Sequence, residues 1–180
     1  MTEPAPPSAP TDQPTGRPAL DAEAVAFAGR VFAAVRAGDL EQVGPLLDAG
    51  FPPDLRNDKG DSMVMLAAYH GHAELVRRLL AAGADPELAN DRGQLPLTGA
   101  AFKGVAPVVG ALLDGGAAVD GAGPDGRTAL MVAAMFDRDD IVRLLLERGA
   151  DPARRDALGS TARDAAAAMG ATRTPALLDG

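Results

Sequence analysis

Glycine recurs in this chain at a fixed interval. Gly60, Gly93, Gly126 and Gly159 stand 33 residues apart, and so do Gly50, Gly83, Gly116 and Gly149. Other columns keep the same register: Val43, Val76, Val109 and Val142, then the pairs Leu46–Leu47, Leu79–Leu80, Leu112–Leu113 and Leu145–Leu146. The pairs Ala67–Ala68, Ala100–Ala101 and Ala133–Ala134 complete the set. Several independent columns in one register mean a repeated supersecondary unit. Such a chain stacks neighbours in a line and leaves little room for contacts distant in sequence.

Within one unit the local signals are ordered. Asn57-Asp58-Lys59-Gly60 reads as a turn with Gly at positive φ. Ser62 is placed to cap a helix carrying Met63, Leu66 and Ala67, which Gly71 ends in a left-handed residue. A second helix puts Leu75, Val76, Leu79 and Leu80 on one face, and Gly83 ends it. Each unit is therefore turn, helix, turn, helix. Alone, it buries neither the apolar stripe nor the small alanines, and stacking buries both. The chain has one Tyr, five Phe and no Trp. A core of Ala, Leu, Val and Met suits thin, closely stacked helices.

These motifs resemble the ankyrin repeat. Asp58 to Ala89 carries G-x-S, A-A, G-H-A-E-L-V and L-L-A-A-G-A-D-P. Pro124 to Arg155 carries D-G-R-T-A-L, A-A and D-I-V-R-L-L-L-E-R-G-A-D-P, and Asp91 to Gly123 carries R-G-Q-L-P-L and L-L-D-G-G-A. The resemblance covers about residues 30–170. It implies an all-α solenoid of helix-turn-helix units with short β-turn fingers. The expected organisation is a disordered Pro-rich tail over 1–19 and a repeat domain over 20–180. That domain divides into an N-terminal capping unit (20–56), full repeats (57–89, 90–122 and 123–155) and a C-terminal capping unit (156–180).

The departures from the family pattern are informative. Met65, Thr98 and Met131 stand where the family's T-P-L-H has His, and Met fills such a space without the usual hydrogen bond. Asp137 replaces the glycine of the Gly71 and Gly104 column, and Asp tolerates the left-handed region. Pro107 falls at a helix start, where Pro is accepted. Gly44-Pro45 falls inside a second helix, where an interior Pro costs about 3 kcal/mol, so that helix is expected to be kinked or shortened. The ends decay as caps must when one face meets water. Phe27 occupies the turn-glycine column, a long helix is expected over about Asp21 to Arg36, and Gln42 stands where other units have Leu75, Val108 or Ile141. After Gly159, Thr161 and an Ala-rich helix, the last unit ends in Thr174-Pro175-Ala176-Leu177-Leu178.

Charge and composition bound the function. The formal net charge is −8 and the pI about 4.7. No basic stripe displaces phosphate counterions, so nucleic acid and anionic membranes are poor partners. There is no Cys, which removes disulfides, thiolate nucleophiles and zinc–thiolate sites. No signal peptide and no membrane-length apolar run are read. A cytoplasmic location fits, and the skewed Ala, Gly, Arg and Pro usage suggests a bacterial source of high GC content.

Chemistry-bearing constellations are scarce. Three Ser stand at 8, 62 and 160, the first in the tail and the others read as turn-to-helix caps. His70 and His72 form an H-x-H pair able in principle to ligate a metal, but His72 occupies the family's structural G-H column. Gly121-Ala122-Gly123-Pro124-Asp125-Gly126 matches a dinucleotide-binding G-x-G-x-x-G in letters only. Its last Gly is the repeat turn glycine, and no strand–turn–helix unit surrounds it. No catalytic residue, metal site or cofactor is assigned, and no enzyme activity is expected.

The resemblance implies that turn tips and the exposed side of each first helix line a concave, partner-binding side. The matching columns hold Asp58, Lys59, Asp61, Tyr69 and His70. They continue with Asp91, Arg92, Gln94, Phe102 and Lys103, then Asp125, Arg127, Met135 and Phe136, and Arg36 joins from the first unit. Three of the six aromatics fall there. A stripe of large apolar side chains rimmed by charge is the composition of an interface centre. The same residues could instead pad the junctions between units. The expected function is a monomeric adaptor or regulator that binds another protein. The alternatives are a small-molecule or metal-binding protein or enzyme with an unrecognised site, and end-to-end self-assembly.

Overall fold

The computed structural model describes residues 22–178. The Pro-rich segment over 1–19 lies outside the described residues. Nine α-helices follow one another in the described part. They are α1 (Ala22–Ala37), α2 (Leu40–Asp48), α3 (Met63–Tyr69), α4 (Ala73–Ala81) and α5 (Pro96–Lys103). Then come α6 (Ala106–Asp114), α7 (Ala129–Met135), α8 (Asp139–Glu147) and α9 (Ala162–Ala168), with a closing 3-10 helix, Thr174–Leu178. No strand forms among the described residues. Two isolated bridges, Arg56 with Ser62 and Ala122 with Thr128, pinch the bases of turn fingers.

Odd-numbered helices stack on one another in an inner row, and α2, α4, α6 and α8 stack in an outer row. The alanine columns explain the spacing of the inner row. Ala67, Ala68, Ala100, Ala101, Ala133 and Ala134 are all at 0% exposure, so adjacent backbones approach closely. The outer row contributes Leu75, Val76 and Leu79 with their equivalents Val108, Val109, Leu112, Ile141, Val142 and Leu145, all buried in one continuous core. Met65 and Met131 are buried in the family's His column. Thr98, in that same column, turns its hydroxyl to the Leu95 carbonyl at 2.8 Å.

Caps define the helix ends. Ser62 Oγ accepts the Met65 N–H at 3.1 Å and Thr128 Oγ1 accepts that of Met131 at 3.3 Å. At α9 the cap is Thr161, reciprocated by Asp164, whereas Ser160 sits one residue outside it and donates its N–H to Asp156. Each outer helix ends in a left-handed glycine, Gly50, Gly83, Gly116 or Gly149. The residue after each glycine donates back to a carbonyl of the last turn, as with Ala84 to Leu79 at 3.1 Å.

Helix α2 differs from expectation. It keeps nine residues across Gly44-Pro45, the length of α4, α6 and α8, so Pro45 does not shorten it. Gly44 offers no Cβ to crowd the proline ring. The Glu41 carbonyl deprived of its donor lies on an exposed stretch of an end helix, where water can serve it. At the opposite end, the 3-10 helix packs on α8 and α9 and takes the place of a tenth α-helix in the outer row.

Candidate groove on the inner face

The inner row and the turn fingers enclose a groove of about 750 Å³. Its walls come from every described unit except the last. Arg36 reaches it from α1, Tyr69 and His70 from the end of α3, Phe102 from α5, and Met135 and Phe136 from the end of α7. The opposite wall is built by fingers, through Lys59, Asp61, Arg92, Gln94, Asp125 and Arg127. Asp58, Asp91 and Lys103 do not line it. Asp58 is exposed on its finger, Asp91 is held by Arg56 at 2.9 Å, and the Lys103 ammonium lies 4.7 Å above the Tyr69 ring, a cation–π contact.

The fingers are held in register by bonds that repeat along the molecule. Asn57 Oδ1 accepts the N–H of Lys59 and of Asp61, and Asn90 Oδ1 does the same for Arg92 and Gln94. Asp61 in turn accepts from the Asn90 amide at 2.9 Å. The Asp91 N–H bonds the Lys59 carbonyl at 3.3 Å, and the Ala157 N–H bonds that of Asp125 at 2.9 Å. Gly126 is needed here: its φ is +72°, and a Cβ would meet the Ala157 nitrogen at 2.9 Å. That geometry is a turn against the next finger, with no strand before it, so the G-x-G-x-x-G match has no phosphate-binding context.

Behind the fingers runs a second ladder that the motif reading did not single out. Asp54 accepts the Asp85 N–H at 2.8 Å, Glu87 accepts that of Ala118 at 3.0 Å, and Asp120 accepts that of Asp151 at 3.2 Å. The signal was available, since residues 54, 87 and 120 are acids in the same 33-residue register. The groove floor, including Met65, Leu66, Thr98 and Val132, was also unassigned as site, because those residues read as core.

The aromatics do two things. Phe102 and Phe136 meet edge to face with centroids 5.0 Å apart, across the junction of two units. Yet Tyr69 and Phe102 remain 42% exposed and Phe136 36% exposed. They pad the junctions with one side and offer the other to the groove.

The two histidines have different surroundings. His72 donates from Nε2 to the Arg36 carbonyl at 2.8 Å, tying α4 to the end of α1. Its ring stacks parallel to that of His70, 6.3 Å away. Partial burial of His70, then the charges of His72, Arg36 and Lys103, hold its imidazole below the usual pKa. Among the described residues, no three His, Asp or Glu side chains converge as a metal site. No helix there is long and apolar enough to cross a membrane.

Comparison with known families settles the architecture. The family described as Ankyrin repeats (3 copies) matches residues 31–120 and, in an overlapping register, 64–156. The chain belongs to the ankyrin-repeat family. A protein of Pseudomonas aeruginosa named as an ankyrin repeat protein is 52% identical over 61 residues, 34% of this chain and 34% of that protein. The match thus spans about a third of that relative's length. Ankyrin repeats in general serve as protein–protein interaction modules.

Proposed function

We propose that this ankyrin-repeat chain is a non-catalytic adaptor or regulator, bacterial, cytoplasmic and monomeric, that seats a partner protein in its inner groove. The supporting observation is the row Tyr69, Phe102 and Phe136, half-exposed along a groove whose finger wall is polar. Large rings held by a rigid scaffold supply contact area at little entropic cost, and interfaces concentrate their energy on such anchors. The fold is indifferent to what these side chains touch beyond it, so they are available for recognition.

The test is affinity capture from a bacterial extract with the wild-type chain and with the triple variant Tyr69→Ala, Phe102→Ala, Phe136→Ala. The wild type should retain a defined protein. The variant should lose it, with affinity falling roughly thirtyfold or more, as for truncated anchors, while helicity by circular dichroism is unchanged. Equal capture by both chains would show that the groove is not the binding face.

A further inference from the structure

From the segregation of unpaired charge we infer that the partner presents an acidic, extended segment carrying apolar side chains that dock on Tyr69, Phe102 and Phe136. This rests on the groove being the binding face.

The chain carries −8 overall, yet the groove lining contains four cations, Arg36, Lys59, Arg92 and Arg127, against two carboxylates, Asp61 and Asp125. Those carboxylates are occupied locally. Asp61 accepts from the Asn57 and Asn90 amides, and Asp125 accepts the Arg127 N–H and faces its guanidinium at 3.9 Å. Elsewhere arginines meet acids: Arg77 with Glu74 at 2.5 Å, Arg78 with Asp48, and Arg148 with Asp114 at 2.9 Å. Arg36, Lys59 and Arg92 have no carboxylate partner among the described residues. Lys103 stands over Tyr69 at the rim, adding a further cation beside the aromatic row.

A concave site that gathers uncompensated cations in an otherwise acidic molecule attracts negative charge. Aromatic rings between the cations add apolar anchoring that a bare anion cannot use. Acid and apolar groups therefore belong on the same ligand. A duplex nucleic acid is too wide and too highly charged for a short mixed groove in a chain of net charge −8.

Two synthetic twelve-residue peptides test this by calorimetry against the full chain. One carries Glu and Phe in a Gly/Ser background, and the other has Lys in place of every Glu. The acidic peptide should bind at least about tenfold tighter, weaken as salt rises, and perturb the fluorescence of Tyr69, the one Tyr in a chain without Trp. The variant Arg36→Glu, Lys59→Glu, Arg92→Glu should reverse the preference. Equal binding of both peptides, or a charge variant that behaves as wild type, overturns the acidic class. If the aromatic variant still loses the captured protein in that case, the interaction function stands and only its partner chemistry fails. The chain has no Cys, so a spin label on Ser8→Cys is unique. Broadening of the Tyr69 resonances by that label would give the groove to the chain's own N-terminal segment and would also overturn the proposal.

Discussion

Asp137 shows how one side chain can take over the work of several. It occupies a glycine column at φ +51°, and its carboxylate accepts backbone N–H groups from Thr172, Arg173 and Thr174. The Thr174 hydroxyl completes the joint by donating to the Ala134 carbonyl at 2.7 Å. Three amide donors, the Thr172 bond foremost, hold the Asp137 carboxyl well below the ordinary range. A folded-state pKa below the unfolded one stabilises fully above the unfolded carboxylate pKa, about 4. That contribution is lost as pH falls through the depressed folded value. Asp137→Asn should therefore lower the melting temperature at pH 7, and the gap from wild type should narrow steadily as pH drops below about 4. Amide exchange at Thr172 to Thr174 should accelerate in the variant at neutral pH. A gap independent of pH would mean that the carboxylate charge is not what holds the segment. The sequence marked Asp137 as a tolerated left-handed residue. It did not reveal the joint, because the acceptors lie 35 to 37 residues from their donors.

Helices of seven to nine residues, such as α3 to α9, are too short to persist alone in water. Their persistence comes from caps and from burial on both sides. Helix α2 is the instructive case, since it tolerates Pro45 by placing it on an exposed stretch. Pro45→Ala restores a backbone donor and removes no buried contact, so it should raise stability by about 1–3 kcal/mol, read from urea unfolding. No gain would mean that the ring costs this helix nothing in its present geometry. Element existence and type were readable from periodicity, capping residues and left-handed glycines, all of them local signals. The survival of α2 was not, because it depends on which side of the helix faces water.

Across the whole molecule, burial grades along the stack. Leu79, Leu112 and Leu145 are fully buried, whereas Leu46, the equivalent residue of α2, is only partly buried. Inner units have a neighbour on each side and α2 has one, so a cavity made in the middle weakens two interfaces. Leu112→Ala should cost about 2–5 kcal/mol, and Leu46→Ala clearly less, in the same denaturant assay. Equal losses would mean that the core does not behave as a line of nearest-neighbour contacts. The two ends close differently. The long α1 replaces a finger at the start, and the 3-10 helix covers α8 and α9 at the finish.

The 33-residue register alone determined the repeat, the pairing of helices and the family, because each rests on which residue types recur at which interval. The columns that became the groove came from the family resemblance, which puts turn tips and the exposed side of each first helix on the concave side. Tertiary structure decided which members of those columns face one another. Asp91 turned aside to Arg56 and Lys103 rose over Tyr69, while among the described residues Arg36, Lys59 and Arg92 were left without acids. Sequence spacing sets a side chain's column, but its partner comes from the neighbouring unit, and only stacking brings the two within bonding distance.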